Sequence, residues 1–404
     1  ITKVGVLQQN LINSACNRIV GNEIQASLII GGEARYKKIK ALKENKKYIE
    51  TELSENPDHY VKPKDGLHIK EEENELGLMA VGYYAILESA YRASLNLSIS
   101  EHQEHISKMY EEFSEIAASN VDGWLSKSLT YKEIATPSKK NPSQSTPYNK
   151  YHCTSWNVNQ ASAMVICSEE LADTLNVPKE KRIYPLASSE TNHMIAAIQR
   201  PNLIKPEGLK LAAKFILDIC KKNKIKPNTY ELYSCFPIAV QMFADALGLN
   251  KEEVKTVTGG MSFAGGPLNH YVIQSTVKML NEIRKDNSKI GLVTGVSGMM
   301  TKQSFALWAK EPLIDFISKD VTSDAESFEK PVELSKLEDG SGTVLGYTAL
   351  VDETDKKLKA VLYIEDTQNK RKVLISRDDS IITNMGEDEW VGKKIKFKGK
   401  HLVS

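Results

Sequence analysis

The sequence of 404 residues contains no apolar run approaching the roughly 20 residues that a membrane-crossing helix needs. It has almost no net charge. Its 53 Lys and Arg face 52 Asp and Glu, leaving +1, which argues against a general nucleic-acid binder. It has no CxxC pair, and its five cysteines (Cys16, Cys153, Cys167, Cys220 and Cys235) are odd in number and far apart. That pattern excludes the usual zinc spacings, argues against a disulfide framework, and favours a reducing, cytoplasmic setting. No metal site and no covalently bound cofactor is expected. The sequence has no exact internal repeat. It starts at Ile1 with no Met, and the opening ITKVG reads as the middle of a domain, so upstream residues are expected. The closing HLVS is not a peroxisomal address of the SKL type.

What is present reads as a globular chain of two to four structural units, with 41% hydrophobic and 26% charged residues. Residues 7–20 have helical spacing and Gly21 follows as a stop. ASLIIGGEA (26–34) and ASAMVICS (161–168) are short continuous apolar runs, which predict strands buried on both faces. Between them, 37–147 is rich in Lys and Glu, with helical patterns over 76–95 and 104–119 and a polar loop at 138–147. A second α/β unit follows over 179–315. It has helices at 207–223, 239–248 and 270–286 and strands at 230–236 and 289–295, which implies a mostly parallel sheet. Short strands with polar turns over 330–404 predict a small antiparallel barrel or sandwich of oligonucleotide-binding type. Its basic stretch GKKIKFKGK (392–400), which includes Phe397, reads as an edge strand guarded by lysines, or as a nucleic-acid contact.

Five segments, in this order, resemble the thiolase superfamily: GNEIQASLIIGGEA, NVNQASAMVICS, YSCFPIAVQ, TGGMSFAGGPLNHY and GLVTGVSGMMTKQSF. The third occupies the place of the family's Asn-Glu-Ala-Phe or His-Asp-Cys-Phe motif. The fourth stands where a glycine-rich stretch ends in Gly-His-Pro, and the fifth where the family has Cys-x-Gly-Gly-Gly. The resemblance covers about residues 1–312 and is nearest to the sterol-carrier-type branch of acetyl-CoA acetyltransferases that carry an added C-terminal β domain. It implies an α/β thiolase fold of two similar halves. The N-terminal half (1–36 and 148–178) is incomplete, 37–147 is a loop domain, 179–315 is the second half and 330–404 is the extra domain. It also implies coenzyme A or acyl-CoA as substrate or ligand, in acyl-CoA C-acyltransferase chemistry of lipid metabolism.

In that family a cysteine takes the acyl group, a histidine activates the thiol, and a second cysteine shuttles the proton. The nucleophile slot falls near Val4 or Gly5, where there is no cysteine; Cys16 lies about three turns into the helix that follows. The Gly-His-Pro histidine falls at Gly266 and the second cysteine at about Thr294. The remaining reactive candidate is Cys235, at a strand-to-helix turn whose dipole would lower a thiol pKa; its alternative is a packed, inert thiol. His270, at a helix start, and His193 are candidate assisting bases, against capping or surface roles. Gly259, Gly260, Ser262, Gly265, Gly266, Thr294, Gly295 and Gly298 are the candidate cofactor-binding set, because glycine lets backbone approach a pantetheine arm closely; the plainer reading is tight turns. The stretch 147–160 is expected to line the tunnel, and lysines of the insertion to meet phosphates. Three functions remain open: an acyltransferase, an altered or inactive acyl-CoA-binding homologue, and a non-catalytic subunit that docks a partner or a second copy through its last domain.

Overall fold

The computed structural model describes residues 5–50, 56–63, 66–250, 252–351 and 357–403. After the helix Gln9–Val20, strand β1 (Ala26–Ala34) opens the first unit. The insertion carries the helices Lys70–Leu76, Ala80–Ser94 and Ile99–Ser119, and closes with β2 (Ser143–Ser145) and β3 (Tyr148–Asn149). Strand β4 (Asn159–Cys167) returns antiparallel to β1, with Ile29 opposite Met164. Ile29 and Met164 pack inward with Ile12, Cys16 and Ile273. The opposite face of this two-stranded ribbon is exposed at Leu28, Ile30 and Val165. The expectation of strands buried on both faces is therefore corrected. Among the described residues only one layer of helices covers the ribbon, so a run without alternation leaves half its apolar side chains outside.

The second unit contains β5 (Tyr184–Thr191), β6 (Thr229–Glu231), β7 (Ile290–Ser297), β8 (Lys302–Ala309) and β9 (Ile317–Asp320), in the order β6-β7-β8-β5-β9. The pairs β6–β7 and β5–β9 are parallel, while β7–β8 and β5–β8 are antiparallel. The sheet is thus mixed rather than mostly parallel. The short turn after Ser297 sends β8 straight back along β7, where a parallel neighbour would need a crossover helix. The helices Glu207–Asn223, Pro237–Leu247 and Tyr271–Lys285 flank this sheet. They bury apolar stripes in two adjoining cores.

The last unit contains β10 (Asp339–Val351), β11 (Lys357–Asp366), β12 (Arg371–Ser376), β13 (Lys394–Lys398) and β14 (His401–Val403). β10 pairs β11, β11 pairs β12, β12 pairs β14 in parallel, β14 pairs β13, and β13 returns to β10. Five strands therefore close into a barrel around Leu362, Leu374, Trp390 and Phe397. Closure leaves β13 between two neighbours, so the lysines of 392–400 do not guard an edge. The polar stretch 138–147 is likewise more than a loop, since Ser145 extends the barrel sheet at Leu350.

Candidate functional site

A cavity of about 550 Å³ opens where the units meet. Its walls come from the loop before the first helix (Gly5, Val6, Gln8), the segment 67–81, the stretch 144–157, and the turns at 233–236, 266–269 and 296–299. Local sequence explains how these turns are held. Glu231, the last residue of β6, is fully buried, and burial pushes its carboxyl up. It accepts hydrogen bonds from the amides of Val257 (2.7 Å) and Thr258 (3.0 Å) and from the hydroxyls of Thr256 (3.0 Å), Thr258 (3.1 Å) and Tyr271 (2.6 Å). Thr256 Oγ1 in turn accepts the amides of Gly259 (2.9 Å) and Gly260 (3.1 Å), so one carboxylate shapes the glycine turn. Gly259 has φ +96° and faces the backbone of Ala117, a place no side chain could occupy.

Cys235 lines this cavity together with Gly266 and Gly298. Tyr84 links the parts: its ring stacks on Phe236 at 4.5 Å, and its hydroxyl donates to the Gly298 carbonyl at 3.0 Å and accepts the Met300 amide at 3.2 Å. Thr154 Oγ1 donates to the Cys235 carbonyl at 3.0 Å. Burial pushes the Cys235 thiol up to about 12. The helix-start expectation of a lowered pKa is therefore corrected. The thiol is buried among rings and apolar walls, and loss of solvation outweighs the dipole.

Neither candidate histidine lines this cavity. The His270 ring is buried, its Nε2 lies 2.9 Å from Ser162 Oγ, and burial pulls its pKa down to about 4. His193 lines a separate cavity of about 10 Å³ with Arg200, Gln303 and Glu329, and its Nε2 donates to the Glu329 carbonyl at 3.0 Å. That volume holds one water rather than a ligand. Among the glycines, Gly266 and Gly298 line the main cavity, while Gly260 abuts Phe113, Gly265 abuts Gln160, and Gly295 packs against Ser304 and Val272. Ser262 is buried, its carbonyl accepting Ser155 Oγ at 2.7 Å, and Thr294 Oγ1 accepts the Tyr233 amide at 2.8 Å, so both brace backbone. Of the nucleophile slot, Gly5 lines the cavity and Val4 lies outside the described residues. Cys16 is buried in the first helix among Ile12, Ile29 and Met164, outside the cavity lining, and its thiol is pushed up to about 12 by burial.

Trp124, Lys150, Trp156 and Asn157 also line the cavity, and Lys150 and Asn157 are exposed to solvent. The Arg35 guanidinium stands 3.9 Å above the Trp156 ring and donates to Asn157 Oδ1 at 3.0 Å. Sequence reasoning missed Glu231 and Tyr84. Nothing local marked either: Glu231 ends the short strand Thr229–Glu231 as any acid might, and its donors come from residues 256–271. Among the described residues no helix is long and apolar enough to cross a membrane, and no group of three or more His, Cys, Asp or Glu is placed to hold a metal ion.

No family model matches the sequence, and no curated protein matches it. Solved structures do. A monomeric SCP2-thiolase-like protein type 1 from Mycobacterium smegmatis superposes with a TM-score of 0.81 at 22% identity, over 98% of this chain and 81% of that one. The chain has the thiolase fold. An Ltp2-ChsH2(DUF35) aldolase follows at TM-score 0.53 and 12% identity, over 75% of this chain and 77% of that one. The Acat5 thiolase from Ascaris suum in complex with coenzyme A has a TM-score of 0.49 and 14% identity, over 77% of this chain and 78% of that one. Of the strands of the mixed sheet, the cavity at Cys235, Gly266 and Gly298 takes in the end of β7, at Val296 and Ser297.

Proposed function

We propose that this chain binds a coenzyme A thioester in the 550 Å³ cavity, and that it does so without forming an acyl-cysteine. The observation that carries the binding is convergence. Side-chain-free backbone at Gly266 and Gly298, apolar side chains such as Leu67 and Val81, an exposed cation and two indoles line one cavity. A pantetheine arm suits the slot, and Lys150 and Arg35 offer charge to phosphates while Trp124 and Trp156 offer ring faces to a base. The absence of transfer rests on Cys235. Its thiol is held protonated, and neither His193 nor His270 lines its cavity, so the pairing of nucleophile and base that covalent catalysis needs is not assembled around it. Acyl transfer through Cys235 is the second reading, favoured by its position on the cavity wall.

Calorimetric titration with coenzyme A and with acyl-CoA, followed by intact mass, tests both readings. The expected result is saturable binding, weakened about ten-fold by Lys150→Ala or Trp156→Ala, with no mass increase. An acyl adduct that disappears in Cys235→Ala establishes the second reading, and no binding of any CoA species refutes both.

A further inference from the structure

The segment 67–81 belongs to two structures at once. Leu67, Leu78, Met79 and Val81 form the apolar wall of the cavity, and Leu67 lies against Gly298. The helix Lys70–Leu76, in the middle of the same segment, is fastened to the C-terminal barrel. Glu72 is fully buried, and its Oε1 accepts both the Tyr363 hydroxyl of β11 (2.7 Å) and the Ile198 amide (2.8 Å), while Oε2 accepts the Ile69 amide (3.3 Å). Glu75 receives Lys359 of β11 and Lys400 of the β13–β14 turn, each at 2.7 Å. The next helix is fastened as well: Ser89 Oγ accepts the Tyr347 amide at 2.8 Å, and Arg92 bonds Tyr347 Oη at 2.9 Å and Glu389 at 2.8 Å.

The two faces of the barrel wall show what it is built for. Ala360, Leu362, Ile364 and Leu374 point into the barrel core. The alternate residues Val361, Tyr363, Val373 and Ile375 join the main core of the molecule. The second and third strands are the ligand face in barrels of oligonucleotide-binding type. Here they are β11 and β12, and that face is filled by the chain itself.

We infer that the barrel is an internal brace and that Glu72 is its positioning residue, setting the apolar wall 67–81 so that the cavity accepts the acyl part of a thioester. The ligand class rests on the function proposed above; the brace itself does not. Glu72 touches no ligand and acts through the wall.

The test compares Tyr363→Phe, Glu72→Ala and Glu72→Gln in the full chain. Gln keeps an acceptor for Tyr363 and Ile198, so it is the conservative control. In ligand-free protein, exchange of the Tyr83 and Tyr84 amides, which close the first turn of the helix after the wall and lie apart from the residues that bond the barrel, is expected to speed up roughly five-fold in Tyr363→Phe and more in Glu72→Ala, and to stay within two-fold in Glu72→Gln. Unchanged exchange there overturns the brace, whatever the chain binds. In titrations, Tyr363→Phe is expected to weaken decanoyl-CoA about five-fold and free coenzyme A less than two-fold. Equal loss of both ligands reduces Glu72 to a purely structural role and overturns the inference. Wild-type chain that binds neither, with the exchange effect present, refutes the function proposed above and leaves the brace standing.

Discussion

At the scale of single residues, burial decides the chemistry. Position made Cys235 attractive as a nucleophile, but a helix start acts on a thiol through a dipole worth about 1 kcal/mol, and full desolvation is larger. With its pKa pushed up to about 12 by burial, Cys235 is held as the thiol at pH 8. Iodoacetamide labelling followed by peptide mass spectrometry should therefore find Cys235 almost unmodified at pH 8 and increasingly modified only as pH approaches 12. Rapid labelling at neutral pH contradicts this account of the site. His270 obeys the same rule with the opposite charge. Its folded pKa near 4 lies below the ordinary 6.5, so the stability it contributes is complete above pH 6.5 and is lost as pH falls through 4. The difference amounts to roughly 3 kcal/mol. Denaturant midpoints of wild type and His270→Asn should converge between pH 6.5 and 4, with wild type losing the advantage; a constant gap means that His270 is not held neutral.

At the scale of elements, the glycine turns were legible in the sequence and the carboxylate that shapes them was not. Doubled glycines mark close approach of backbone wherever they occur. Glu231 looks like any other acid until the fold brings three side-chain hydroxyls and two backbone amides around it. Glu231→Ala leaves those donors buried without an acceptor and is expected to cost about 3–5 kcal/mol, read as a lowered urea midpoint; Glu231→Gln should cost less, because it keeps one acceptor. A loss under about 1 kcal/mol for the alanine variant would show that the turn holds without it. The helices Glu207–Asn223 and Tyr271–Lys285 were readable within a residue because their apolar stripes repeat at helical spacing. β5 and β8 were not, because YPLASSET and KQSFALWA carry polar side chains into a buried sheet. Ser189 Oγ, for example, satisfies itself on the Ala212 carbonyl at 2.8 Å. Alternation cannot report such strands, since polar side chains there are paired rather than solvated.

At the scale of the whole molecule, the order of five weak motifs carried the fold: the last three bring Cys235, Gly266 and Gly298 to one cavity, and the first two pair as the β1–β4 ribbon. What the order could not carry was the packing of one unit on another. Nothing in the local pattern of 67–94 distinguishes a helical surface facing water from one facing a barrel; Glu72 and Arg92 are charged and nonetheless buried. The same limit hid the exposed face of the β1–β4 ribbon, where Leu28 and Val165 stand opposite one another in the open. The opening loop, the insertion and the turns of the mixed sheet thus line one cavity, with the barrel fastened behind the insertion, and the claim that this cavity is a thioester slot belongs to the assembled chain. Its most direct test is a crystal structure with decanoyl-CoA, whose intact thioester leaves acyl transfer to a cysteine chemically open. The account predicts a pantetheine arm passing between Gly266 and Gly298, the acyl end against Leu67 and Val81, and no bond to Cys235 Sγ; a ligand lodged elsewhere, or joined to that sulfur, contradicts it.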